Sequence, residues 1–209
     1  RRPAARQLRR SLLDYMGVSH FNPSAEISLE QLEGLHFDNR IMKKLQAAVT
    51  ASMQNPGNPA SNILDGNPNT YWLAGGRGQG HPYELAITFP QAVALKGLVW
   101  MNRQNHREHE GDVRDYRIEI SSDGQNWTLA AQGQLKSTFH PQTIDFGKTT
   151  DASRIKIHIL SGFGGDSTAS VADVAVLYAG PKLADDGSQP SIYQKQKTAT
   201  EEIFEGPIP

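Results

Sequence analysis

Along most of this chain apolar residues alternate with polar ones at a period of two, and helical spacing appears only near the amino terminus. Tyr83, Leu85, Ile87 and Phe89 alternate with polar or small residues up to Pro90, as a half-buried strand does. Tyr116, Ile118 and Ile120 alternate in the same way with Arg117, Glu119 and Ser121, and Ile155, Ile157 and Ile159 with Arg154, Lys156 and His158. Asp123-Gly124 lies between the second run and the segment holding Trp127 and Leu129. Both residues tolerate positive φ, which predicts a tight hairpin turn there. A glycine-rich loop after Ile159 leads to a last apolar strand near Val171 to Tyr178. Turn residues recur about every ten positions and no helix of useful length separates these runs, so the pattern predicts an all-β sandwich.

The first 44 residues read differently. From Pro3 to about Met16, Leu8, Leu12, Tyr15 and Met16 fall on one stripe while Arg6, Arg9 and Arg10 lie elsewhere, which predicts an amphipathic helix. Five arginines stand among the first ten residues. The stripe is short and Asp14 interrupts the basic character, so helix docking on protein is the better reading than a membrane surface. A second short helix is predicted over Ser28 to Leu35, where Ser28 and Gln31 have capping-box spacing. The expected organisation is a helical segment over 1–44, a sandwich over 45–180, and an extended, polar tail over 181–209.

Composition narrows the function classes. At 209 residues and 37% hydrophobic content the chain can bury one good core, with a small appended element. The formal net charge is -1, from 21 basic and 22 acidic residues, so no global field favours nucleic acid or an anionic membrane. There is no cysteine, which excludes disulfides and thiolate metal sites. No apolar run is long enough to span a bilayer. The sequence starts at Arg1 without a methionine or a signal-like stretch, as a piece of something longer does.

Candidate chemistry begins at Asn62-Ile-Leu-Asp-Gly-Asn-Pro-Asn-Thr-Tyr-Trp72, which crowds oxygen-bearing side chains around a glycine turn. A hard cation such as calcium takes this kind of donor set, with Asp65, Asn67 and Thr70 as candidate ligands. Asp-Gly and Asn-Pro also make ordinary turns closed by Asx hydrogen bonds, and composition alone leaves both readings open.

These residues occur in a longer ordered series: a strand from Ala47 to Ser52, then Pro59-Ala60 through Asp65-Gly66-Asn67 with Thr70 and Trp72, then Tyr116 to Ser122 with Asp123-Gly124 and Trp127. The series resembles the coagulation factor V/VIII type C, or discoidin, domain, and within it family 32 carbohydrate-binding modules. The resemblance implies a galactose-binding-like jelly-roll β-sandwich, here all-β with a short helical amino-terminal extension. It further implies a structural calcium ion held by Asp65 and Thr70, by backbone oxygens near Asn62 and Asn67, and by Ala172 and Asp173. Family members more often carry glutamate where Asp173 stands.

The resemblance also implies a sugar site on loops at one end of the sandwich. Three loops carry suitable groups: the one after Trp72 through Arg77 and His81, the one from Arg103 to Asp112, and the one from Ser161 to Thr168. Sugar hydroxyls need forked or planar donors and carboxylate or amide acceptors, and the C–H face of a galactose-type ring needs an aromatic plate. His81, Arg77, Arg103 and Glu110 are nominated as the polar partners, and Phe163, flanked by Gly162, Gly164 and Gly165, as the plate. The middle loop departs from the resembled pattern, since Glu110 stands before Gly111 where an asparagine is usual, so the preferred sugar is expected to differ from plain galactose. His106 and His109 match no metalloprotease order and are expected to be solvated or hydrogen-bonding.

No spacing identifies a nucleophile with its base, or two carboxylates flanking a cleft. Glu108, Glu110 and Asp112 are expected to form a solvated acidic patch. Arg6 to Met16 followed by Phe21-Asn-Pro23 resembles the last segment of β-galactosidase-like bacterial glycoside hydrolases. The expected whole is therefore a secreted, periplasmic or cell-surface glycan-degrading enzyme of a bacterium, whose covalently attached module binds carbohydrate. A second class of function comes with the same resemblance, since some discoidin domains bind protein or cell-surface receptors, or anionic phospholipid through several apolar spikes. The nominated loops offer Phe163 alone for that purpose.

Overall fold

The computed structural model describes residues 3–18, 39–76, 79–165, 167–181 and 183. The chain divides into two compact units, Arg1–Phe37 and Asp38–Pro209. In the first, helix α1 spans Pro3–Met16, and Leu12, Tyr15 and Met16 are each more than half exposed. The helix expected at Ser28 to Leu35 and most of the 181–209 tail lie outside the described residues.

The second unit starts ahead of residue 45, because the short helix α2, Arg40–Lys44, packs with the sandwich. Met42 is its anchor at 1% exposure. Eight strands follow: β1 Ala48–Ala51, β2 Trp72–Gly75, β3 Tyr83–Met101, β4 Asp115–Ser121, β5 Thr128–Gln134, β6 Gln142–Ile159, β7 Thr168–Val171 and β8 Asp173–Tyr178. A 3-10 helix, Ala60–Leu64, precedes β2. The larger sheet has the order β1-β3-β6-β4-β5 with β8 also on β3, and β2 pairs β7 in a second, two-stranded sheet. Every strand pairing is antiparallel.

The alternation in the sequence maps onto burial. Leu85, Ile87, Ile155, Ile157 and Ile159 are fully buried, and Leu85↔Ile157 and Ile87↔Ile155 are direct partners across β3 and β6. Their neighbours Arg154, Lys156 and His158 are outside the core, and His158 Nε2 sits 2.9 Å from Glu119 Oε2. Two tryptophans fill the interior with their indole N–H groups satisfied, Trp72 by Met53 O at 3.0 Å and Trp100 by Asn102 Oδ1 at 3.0 Å, as burial of an indole requires.

Three sequence expectations change in detail. Pro90 does not end its strand, because β3 runs on to Met101 and absorbs the proline in a register shift between Thr88 and Val93, where no ladder donor is needed. The turn at Asp123-Gly124 is wider than a two-residue hairpin. Asp123 Oδ1 accepts bonds from the Gln125 and Asn126 N–H groups, and the ladder resumes at Ile120↔Thr128. The run from Val171 to Tyr178 is two strands in two sheets, β7 on β2 and β8 on β3, parted at Ala172. That switch sets Asp173 at the seam between the sheets. Among the described residues no helix is long and apolar enough to cross a membrane.

Candidate functional site

The loop end of the sandwich is assembled by pairing across distant segments. Strands β2 and β7 hold the 76–82 loop against the 161–168 loop, where the Gly76 N–H and the Tyr83 hydroxyl both donate to Ser167 O, at 3.2 and 2.9 Å. The 103–112 loop is zipped to the same place. The Gly111 N–H donates to Phe163 O at 2.9 Å, the Phe163 N–H to Asp112 O at 2.8 Å, and the Ser170 N–H to Gly111 O at 2.7 Å.

Four of the five nominated sugar-site residues lie here, and Arg77 lies outside the described residues. Phe163 is half-buried between the buried Gly162 and the exposed Gly164. Glu110 is exposed beside it, packed so closely on Gly164 that a Cβ there would come within 2.9 Å of its Cγ. Arg103 lies over the Tyr71 ring, its Cζ 4.0 Å from the ring centroid, and its Nε donates to Asn105 Oδ1 at 2.6 Å. The guanidinium is thereby held with its fork still offered to a ligand. His81 takes a different part. Its Nδ1 lies 3.3 Å from Ile159 O, its ring meets Tyr83 edge-on at 5.0 Å, and its buried Nε2 has no hydrogen-bond partner among the described residues. It forms the floor beneath Gly162 rather than the rim.

The acids of the middle loop are not one solvated patch. Asp112 is fully buried and accepts a bond from His109 Nδ1 at 2.8 Å. Burial pushes its carboxyl up to about 6, against the hydrogen bond from His109 and the nearby charges of His109, His106 and Arg103. His109 and His106 are hydrogen-bonding groups, the latter accepting the Glu110 N–H at 3.2 Å. Two aromatic residues were not nominated from the sequence. Tyr71 carries Arg103, and Phe139, 40% exposed, packs 4.1 Å from the His109 ring. The adjacent pair Tyr71-Trp72 held the one available signal, since alternation turns one ring inward and the other out. Phe139 gave none.

A second constellation forms at the seam. Asp65 closes its own loop, with Oδ1 accepting the Asn67 N–H at 2.7 Å and Oδ2 the Thr70 hydroxyl at 2.7 Å. The Thr70 N–H donates to Asn67 O at 3.0 Å, Asn67 Oδ1 accepts the Asn69 N–H at 3.1 Å, and the Asn62 amide donates to Tyr71 O at 2.9 Å. These are Asx-type turn bonds, and they account for the loop by itself. They do not account for Asp173, a fully buried carboxylate whose Oδ1 is met by the Val174 N–H and the Asn39 amide, with the Gly66 N–H close by, while Oδ2 has no side-chain partner among the described residues. Burial first and the charge of Asp65 second push its carboxyl up to about 8. An isolated buried carboxylate facing a second one is costly unless a cation joins them. The donors gathered here, carboxylate, amide, hydroxyl and carbonyl, are all oxygen, as calcium requires.

A two-sheet jelly-roll sandwich with polar and aromatic groups converging on one loop end is the architecture of a ligand-binding module. The chain belongs to the F5/8 type C domain family, whose model matches residues 48–174. It is similar to a sialidase of Micromonospora viridifaciens, 31% identical over 121 residues that make up 56% of this chain and 18% of the sialidase. Its structure is similar to the family 32 carbohydrate-binding module of C. perfringens NanJ, solved in complex with galactose, with a TM-score of 0.58 and 26% identity over 64% of this chain and 94% of that one. The family 32 module of AlyQ, solved with 4,5-unsaturated mannuronic acid, matches with a TM-score of 0.52 and 25% identity over 63% of this chain and 95% of that one. The chain spans about a fifth of the length of the curated relatives it matches.

Proposed function

We propose that this chain is a non-catalytic carbohydrate-binding module for galactose-type or related glycans, tied to a glycan-degrading enzyme in a longer secreted, periplasmic or cell-surface bacterial protein. The observation that carries the reading is the convergence of Phe163, Glu110 and the Tyr71-supported guanidinium of Arg103 on one loop end. Phe163 stacks on the C–H face of a ring, Arg103 donates in a fork to adjacent hydroxyls or a ring carboxylate, and Glu110 accepts from hydroxyls. Glu110 in the middle loop favours a sugar with an extra donor over plain galactose. Attachment to a hydrolase raises the concentration of catalytic groups near the glycan without adding any contact.

Calcium belongs to the same proposal as a structural group. Asp65, Thr70 and Asp173 would hold it, with oxygens of Asn62, Asn67 and Ala172. It would supply the positive charge that joins the Asp65 loop to the start of β8, and so brace Tyr71 and the residues above it.

The test is calorimetry on the full chain against galactose-, N-acetylgalactosamine- and glucuronate-containing glycans, with Phe163→Ala and Arg103→Ala alongside. Binding to one class that weakens at least about tenfold in each variant, with melting unchanged, supports the site, since a central contact of this kind contributes about 1.4 kcal/mol or more. If the folded, calcium-loaded protein binds none of them, the carbohydrate reading fails.

A further inference from the structure

We infer that Asn39, which precedes the family-matched residues 48–174, is part of the cation site, and that its side-chain oxygen ligates the ion beside Asp173. The inference rests on the calcium reading above and adds a donor that the sequence did not reveal. Asn39 is 4% exposed, a depth at which an amide must have its hydrogen bonds satisfied. Its Nδ2 donates to Ile63 O at 3.2 Å and to Asp173 Oδ1. Ile63 O accepts only, and the ionised Asp173 carboxylate does the same, so with Asp173 ionised the amide nitrogen belongs on these two oxygens and the amide oxygen turns away from them. That oxygen is buried without a side-chain partner among the described residues, and so is Asp173 Oδ2.

Two buried acceptor oxygens on touching side chains, with Asn39 packed against the Gly66 turn that follows Asp65, describe a place where a cation completes the valence. Among the described residues no side-chain donor reaches either oxygen, and the Gly66 N–H approaches the Asp173 carboxylate. The surroundings keep Asn39 there. It stands just before α2, the Met42 N–H donates to Asn39 O at 3.0 Å, and the Ala47 N–H returns to Met42 O at 2.9 Å. The Gly66 turn packs against Asn39, since a Cβ on it would make ordinary contact with the Asn39 Cβ at 3.6 Å. Gly66 also has a φ of +72°, which a larger residue adopts only with strain.

The ion would then fasten three separate pieces of chain: the segment entering the sandwich, the Asp65 loop and the start of β8. Binding would then be coupled to docking of α2 on the sandwich.

The experiment is calcium titration of the full chain by calorimetry, with melting in calcium and in chelator, for wild type, Asn39→Ala and Asn39→Asp. Wild type should bind calcium, Asn39→Ala should bind at least about tenfold more weakly with a smaller calcium-induced rise in Tm, and Asn39→Asp should retain binding while melting lower than wild type in chelator. Wild-type affinity in Asn39→Ala would reduce Asn39 to a hydrogen-bonding brace and overturn the inference alone. Should Asn39→Ala fail to fold, loss of calcium binding in folded Asn39→Asp overturns it as well. Absence of calcium binding in wild type would overturn the calcium reading itself, and the inference with it.

Discussion

Asp112 shows how one residue can make this loop end sensitive to pH. Its carboxyl is raised to about 6 chiefly by burial, so the folded chain holds the proton more tightly than the unfolded one. Its contribution to stability is therefore complete below about pH 4 and is lost as pH rises through about 6. Asn has the same shape and no charge. Asp112→Asn should gain stability over wild type between pH 4 and pH 7, by on the order of 2 kcal/mol from the size of the shift. Urea midpoints at the two pH values check this, and an equal difference at both would refute the burial account. Asp115 runs the opposite way. Hydrogen bonds from Ser161, Gln134 and Arg114 hold it down to about 2, so what it contributes is present above about pH 4 and is lost only as the pH falls toward 2.

At the level of elements, the short pairing of β2 with β7 decides where the loops stand. Gly75 closes that ladder opposite Thr168 with a φ of +98°, and a Cβ on it would lie 1.8 Å from Ser167 O. No flexible side chain can yield there, because the obstacle is backbone. Gly75→Ala should destabilise the protein by about 2–4 kcal/mol and weaken glycan binding by displacing the 161–168 loop. Denaturant unfolding and calorimetry on the same sample test the pair of effects; a variant as stable as wild type would show that the ladder is softer than its geometry implies. The β3–β6 pairing acts on stability instead. Ile157 is fully buried opposite Leu85 and Ile118, and Ile157→Ala should cost about 2–5 kcal/mol through the cavity it leaves, with sugar affinity unchanged in the fraction that stays folded.

For the molecule as a whole, the two constellations are linked through adjacent residues, Thr70 in the cation loop and Tyr71 beneath Arg103. Calcium should therefore raise the melting temperature and tighten glycan binding together. A ligand that binds only the folded state at 100 times its Kd adds about 2.7 kcal/mol. Melting curves in calcium and chelator, paired with calorimetry under both conditions, would show the link. If melting rises and affinity does not move, the ion braces the seam alone.

The sandwich was legible because strand periodicity is local: Leu85, Ile87, Ile155, Ile157 and Ile159 declare their buried face by spacing alone. The sequence also determined that Asp65, Asn67 and Thr70 share one short loop and that Phe163 sits among glycines. Partnership was not legible. Only the folded chain brings Asn39 to Asp173, 134 residues away, sets Tyr71 under Arg103, lays Phe139 on His109 and buries His81 Nε2 beneath the glycine loop. The first of these meetings depends on how β7 and β8 divide between two sheets at Ala172, and a division of that kind follows from long-range pairing that no local pattern encodes. Bridging to Ser170 and Phe163 buried Asp112, which the sequence had placed in a solvated acidic patch.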